Sequence, residues 1–185
     1  LEWIRPSATW IVGSTHPGEE DVVLKVYSRL RQEFSDLCLI LAPRNQQRFN
    51  EVFKLASQSG WQTQLRSQLP VGKGRGAQMD VLILDTIGEL ARFYSLGDFA
   101  FVGGSLVGFG GHNPLEAAQR GLPVAFGPHM ENFRDIAAIL TESGGGFQIA
   151  DEDELFELVL VWLTEPAVAK EQGQKAQRAL QLHQG

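Results

Sequence analysis

A doubly wound, parallel, Rossmann-like α/β sheet is the fold this sequence predicts, and three observations predict it. Short apolar runs recur at fairly even spacing, most of them continuous instead of alternating, which is the pattern of strands covered on both faces. Helix-period stretches fill the intervals, so strand and helix alternate as βαβ units. The composition, 43% hydrophobic and 21% charged over 185 residues, is that of one folded domain with a sizeable core.

The elements follow in order. TWIVGS (9–14) opens as a strand, and GEEDVVLKVYSRLRQEF follows as a helix whose Val22, Val23, Val26, Leu30 and Phe34 form one apolar stripe. LCLILAP (37–43) is the second strand and contains Cys38, the one cysteine, read as a small core residue. NQQRFNEVFKLASQSG is helical, QTQLR (62–66) a third strand and DVLILD (80–85) a fourth. Between these two strands LPVGKGRGAQMD (69–80) has no periodicity and reads as an exposed flexible loop; its Lys73 and Arg75 lack phosphate-loop spacing. IGELARFYSLG is helical, FAFVGG (99–104) a strand, PLEAAQRG helical, PVAFG (123–127) a strand, NFRDIAAILTESG helical and GFQIA (146–150) the last strand. Two helical patterns, DEDELFELVLVWLTEP and EPAVAKEQGQKAQRALQLH, close the chain. The last can pack on this domain or cross to another. Gly60, Gly97, Gly121 and Gly144 each stand between a helix and a strand, where a left-handed residue is expected.

Several function classes are excluded or disfavoured. A net charge of −6 without a Lys/Arg cluster argues against nucleic-acid binding. One cysteine excludes disulfide scaffolds and cysteine zinc sites. No GxxxxGK[ST], no GxGxxG after the first strand and no GxSxG occurs. His16, His112, His129 and His183 lack metal-ligand spacing, so no metal is expected. No apolar stretch is long enough to cross a bilayer, and LEWIRPSATW does not read as a signal peptide. The chain begins without Met and reaches its first strand at once, so we expect residues 1–185 to be one nucleotide-sugar-binding domain of a longer protein.

In such a sheet the ligand sits beyond the carboxyl ends of the strands. Those turns carry Ser14-Thr15-His16-Pro17-Gly18-Glu19, Pro43-Arg44-Asn45, Thr86-Ile87-Gly88-Glu89 and the stretch FVGGSLVGFGGHNPLEAA from Phe101. Singly, each can be a helix start: Asn113 with Glu116, and Thr86 with Glu89, have capping-box spacing. Together they bring more chemistry to one edge than capping requires. Gly103, Gly104 and Ser105 are expected to let the backbone approach a ligand. Gly110 and Gly111 would deliver a helix from Asn113 whose amides hold a phosphate oxygen. Glu116 can accept from a ribose diol, and Arg44 can supply charge or stack on a base.

The combination of STHPGEE, APRNQQRF, DTIGEL, FVGGSLVGFGGHNPLEAA and FGPHMENFRDI closely resembles the carboxyl-terminal half of bacterial Kdo (3-deoxy-D-manno-octulosonic acid) transferases, from about Thr9 to Ile149. The resemblance implies a GT-B glycosyltransferase whose carboxyl-terminal domain binds CMP-Kdo. It further implies an inverting reaction without metal or cofactor that passes Kdo to a lipid A precursor in lipopolysaccharide biosynthesis. The general base, acceptor binding and membrane anchor would belong to an amino-terminal domain at the cytoplasmic face of the bacterial inner membrane. This chain alone would bind donor without turnover. Carried over by motif, the donor contacts fall on Pro43 and Arg44, on Thr86, Ile87, Gly88 and Glu89, and on Gly104, Ser105, Gly111, His112, Asn113 and Glu116, with Ser14 beside them. Where the family has His-Pro-Glu-Arg-Phe after the arginine, this chain has Asn45-Gln46-Gln47-Arg48-Phe49, which leaves no imidazole there. Two other readings stay open: a non-catalytic nucleotide-sugar module, and a GT-B relative such as an epimerase that favours UDP.

Overall fold

The computed structural model describes residues 6–69 and 79–184. The expected loop with Lys73 and Arg75 lies outside them for residues 70–78. Seven strands, β1 (Ala8–Thr15), β2 (Leu37–Pro43), β3 (Thr63–Leu65), β4 (Val81–Ile83), β5 (Phe99–Val102), β6 (Val124–Phe126) and β7 (Gly146–Gln148), form one sheet in the order β3-β4-β2-β1-β5-β6-β7. Every pairing is parallel. Each apolar run expected to be a strand is one. β3 is the least buried of them, because it takes an edge where one side of the strand has no partner.

Alternate side chains explain why the runs are continuous. Trp10, Val12, Leu39, Leu41, Phe99 and Phe101 face one core with α1 (Glu19–Arg31), α2 (Phe49–Gln58) and α6 (Glu152–Thr164). Ile11, Cys38, Ile40, Leu82, Val102 and Phe126 face the other. Against that second face pack α3 (Leu90–Tyr94), α4 (Leu115–Gln119), α5 (Arg134–Ser143) and α7 (Pro166–Gln184). With helices on both sides neither strand face meets water, so polar alternation has no role.

α7 packs on this domain. Ala169, Ala176 and Leu180 are buried, Gln172 accepts from Trp162 Nε1 at 2.7 Å, and Gln177 donates to the Gln119 carbonyl at 2.9 Å. Gly60, Gly121 and Gly144 are left-handed as expected. Gly97 is not among the positive-φ residues; a Cβ there would strike Ile11, so close packing on β1 accounts for it.

Candidate functional site

The strand order reverses direction at β1, which has β2 on one side and β5 on the other. A crevice opens at such a reversal, at the carboxyl ends of the two diverging strands. The Arg44 amide donates to the Thr15 carbonyl at 2.9 Å and the Gly103 amide to the Gly13 carbonyl at 2.8 Å, so three strand ends are stitched into one rim. Ser14, at this junction, is the one non-glycine with positive φ (60°) among the described residues, beside a register shift in β1. Such strain is held only where the surroundings dictate it.

One lobe of the rim is a pocket of about 240 Å3 whose lining includes Ser14, Pro43, Arg44, Thr86, Ile87 and Gly88. Ala42, Phe49, Leu84 and Leu90 supply apolar surface. An apolar floor with a few polar groups and one guanidinium suits a flat ring that bears an anionic group. Ile87 is 76% exposed although it is large and apolar.

The other lobe is built on two imidazoles. His16 and His112 meet Nε2 to Nε2 at 2.7 Å with their rings nearly parallel, 4° apart. Phe109, 54% exposed, stacks on His16 at 4.0 Å between centroids. His16 Nδ1 is buried without a hydrogen-bond partner among the described residues. A buried lone pair is easier to leave bare than a buried N–H. On that ground the protons are assigned to His16 Nε2, which donates to His112, and to His112 Nδ1. Burial, then His16, then Arg44 pull the His112 pKa down to about 4. Burial lowers His16 too, with Arg44 and Arg48 in support and Glu19 and Glu20 opposing. Arg44 thus acts on both lobes.

The glycine-rich stretch turns several of its amides inward, onto the chain itself. Glu19, fully buried, accepts from the amides of His16 (2.9 Å), Gly104 (2.7 Å), Ser105 (3.2 Å) and Leu106 (3.0 Å). The Gly103 and Gly104 carbonyls accept from His112 and Gly111, and the Ser105 and Gly110 carbonyls from His129 and Asn132. Ser105 Oγ donates to the Val102 carbonyl at 2.6 Å and accepts from the Gly127 amide at 2.9 Å. At Gly104 and Ser105, where a close backbone approach to a ligand was expected, the Glu19 carboxylate of the chain itself takes the amides.

Among solved structures, the C-terminal CMP-Kdo binding domain of WaaA from Acinetobacter baumannii superposes with a TM-score of 0.86 at 30% identity, over 94% of this chain and 89% of that one. The chain belongs to the Kdo transferase family. A 3-deoxy-D-manno-octulosonic acid transferase of Haemophilus influenzae is 38% identical over 157 residues, 84% of this chain and 36% of that protein. The chain thus spans little more than a third of the length of such relatives. The C-terminal domain of a group 1 glycosyl transferase from Francisella tularensis shares the fold alone, with a TM-score of 0.67 at 12% identity. No family model matches the chain. The doubly wound sheet is that of the carboxyl-terminal half of a GT-B glycosyltransferase.

Seen as a Kdo transferase domain, the chain gathers Ser14, Pro43, Arg44, Thr86, Ile87 and Gly88 on one pocket and sets His112 beside it. Glu89 is turned aside. It accepts from Thr86 Oγ1 at 2.5 Å and pairs with Arg66 at 3.3 Å, in a neighbouring depression. The expected cap at Thr86 is thus replaced by a side-chain bond, and α3 starts at Leu90. Asn113 is exposed and its Oδ1 accepts from the Leu115 amide at 3.0 Å, but α4 behind it is only 5 residues long, which leaves little dipole. Gly111 is needed for close packing, since a Cβ would meet the His129 carbonyl. Glu116 is exposed and near enough to raise Tyr94, whose pKa is lifted first by burial. Tyr94 in turn crowds Gly13 of β1.

Residue-by-residue reading missed the scaffold of this candidate site: Glu19 and the Glu20–Arg48 pair, whose two hydrogen bonds measure 2.8 and 2.9 Å with Glu20 buried. The signal lay in the motifs STHPGEE and APRNQQRF. Two adjacent acids opening a helix look like partners of its dipole in water, and nothing local marks them as buried.

Proposed function

We propose that this chain is the donor-binding domain of a Kdo transferase and takes CMP-Kdo at the β1–β5 rim. The observation that carries this reading is the convergence of Ser14, Pro43, Arg44, Thr86, Ile87 and Gly88 on one pocket, next to the His16–His112 pair. The pocket receives the nucleotide, with the cytosine against the Thr86–Gly88 turn and the phosphate toward Arg44.

Cleavage of the Kdo–CMP bond leaves a phosphate monoester whose negative charge grows as the bond breaks, and fixed positive groups at that position lower the barrier. With Glu19 occupying the loop amides, this task falls to Arg44, aided by the N–H on His112 Nδ1. The reaction is inverting and needs no metal or cofactor. An amino-terminal domain supplies the general base, the site for the lipid A precursor and attachment to the cytoplasmic face of the inner membrane. Among the described residues no helix is long and apolar enough to cross a membrane.

Calorimetry with CMP, UMP and UDP-sugars tests this reading. CMP is expected to bind most tightly, and Arg44→Ala to weaken it about tenfold or more, the worth of a hydrogen bond to a charged group. Preference for UDP overturns the assignment. The chain alone is expected to bind CMP yet transfer no Kdo, and joining it to an amino-terminal Kdo transferase domain is expected to restore transfer.

A further inference from the structure

Arg66, Arg92 and Arg120 share a depression of about 310 Å3 with a single carboxylate, Glu89, along the outer flank of α3. This is an unusual place in a chain of net charge −6. Glu89 engages Arg66 through Nε and Nη2, at 3.3 and 3.4 Å, and holds that guanidinium over the Phe93 ring at 5.8 Å. Arg92 and Arg120 are exposed and make no ion pair among the described residues. Phe93 and Leu96 form an apolar wall, with Ser95 at the edge. One guanidinium is therefore fixed, and two more stand free around a concave surface.

Guanidinium groups present paired N–H donors in a fork that matches phosphoryl oxygens, and several of them about one hollow lower the cost of drawing an anion from water. We propose that this depression is a second, phosphoryl-binding site, separate from the pocket at the β1–β5 rim. Arg92 and Arg120 grip the phosphoryl oxygens, while Arg66, steadied by Glu89, sets the field. Three guanidiniums about one open hollow suit a terminal phosphoryl group: a small phosphorylated metabolite or the headgroup of an anionic lipid. The site does not depend on the identity of the donor.

Binding of inorganic pyrophosphate, followed by calorimetry, and co-sedimentation with phosphatidylglycerol vesicles against phosphatidylcholine vesicles, each with CMP in excess to occupy the rim pocket, test the proposal on the unaltered chain and on Arg92→Ala/Arg120→Ala. The double variant is expected to weaken binding at least tenfold while its affinity for CMP stays that of the unaltered chain. Both replaced residues are exposed and unpaired, so the fold is kept, and an unchanged melting temperature verifies this. Pyrophosphate binding without sedimentation identifies a soluble ligand. Arginine-dependent sedimentation with the anionic vesicles identifies a lipid headgroup. The site is refuted if neither probe binds, if the double variant binds as well as the unaltered chain, or if excess CMP abolishes the binding.

Discussion

Two side chains at the rim make sharp predictions. Glu19 takes four backbone amides, and its replacement by Gln puts an NH2 where donors already point. Bonds to a charged group are worth about 1.5 to 3 kcal/mol each, so Glu19→Gln is expected to lose at least about 2 kcal/mol in urea unfolding. His112 is held below the ordinary value of 6.5, at about 4, by burial first. Between those two values the unfolded chain binds a proton that the folded one refuses, so stability falls as the pH drops through that window. His16, also lowered, adds to the same trend. In His112→Gln the fall in melting temperature from pH 6.5 to about 4 is expected to be visibly shallower; equal slopes would show that the pair has no such effect.

Among the elements, α7 is held against the turn that follows α4 by a contact that tolerates no side chain. A methyl at Gly173 would drive into the Gly121 carbonyl, and that neighbour is backbone. Gly173→Ala gains about 1 kcal/mol of helix propensity, but overpacking costs about 1 to 3 kcal/mol, so a net loss is expected in thermal unfolding. Gly108→Ala, where a Cβ meets nothing, serves as the control and should change stability by no more than about 0.5 kcal/mol. The element boundaries also show what sequence conveys. LCLILAP, and VLIL between the aspartates of DVLILD, announce strands because burial on both faces leaves a run with no polar residue. Thr86 with Glu89 has the spacing of a cap, yet the Arg66 guanidinium draws the carboxylate away, and no local pattern reveals a partner 23 residues upstream.

For the molecule as a whole, the sheet is deepest at β1, β2 and β5 and thinnest at its edges, β3 and β7. Amide hydrogen exchange is expected to be slowest at Ile11, Ile40 and Phe101 and fastest, among strands, at Thr63–Leu65; the reverse order would contradict the layered core. The architecture was legible in the sequence because periodicity reports burial. The rim was legible as far as topology carries it: a parallel sheet must bring Arg44, the Thr86 turn and His112 to one edge. What each group touches there was not, because Glu19 reaches across 85 residues to fill the loop that its glycines advertised. That loop, from Gly104 to Gly111, has its own anion inside and much of its backbone tied to neighbours. A molecule diffusing up to it finds walls already standing, and little entropy of ordering is charged to the encounter. Association of a small ligand with this chain is therefore expected to run in one kinetic phase; a second, slower phase in stopped-flow would show that the walls rearrange after all.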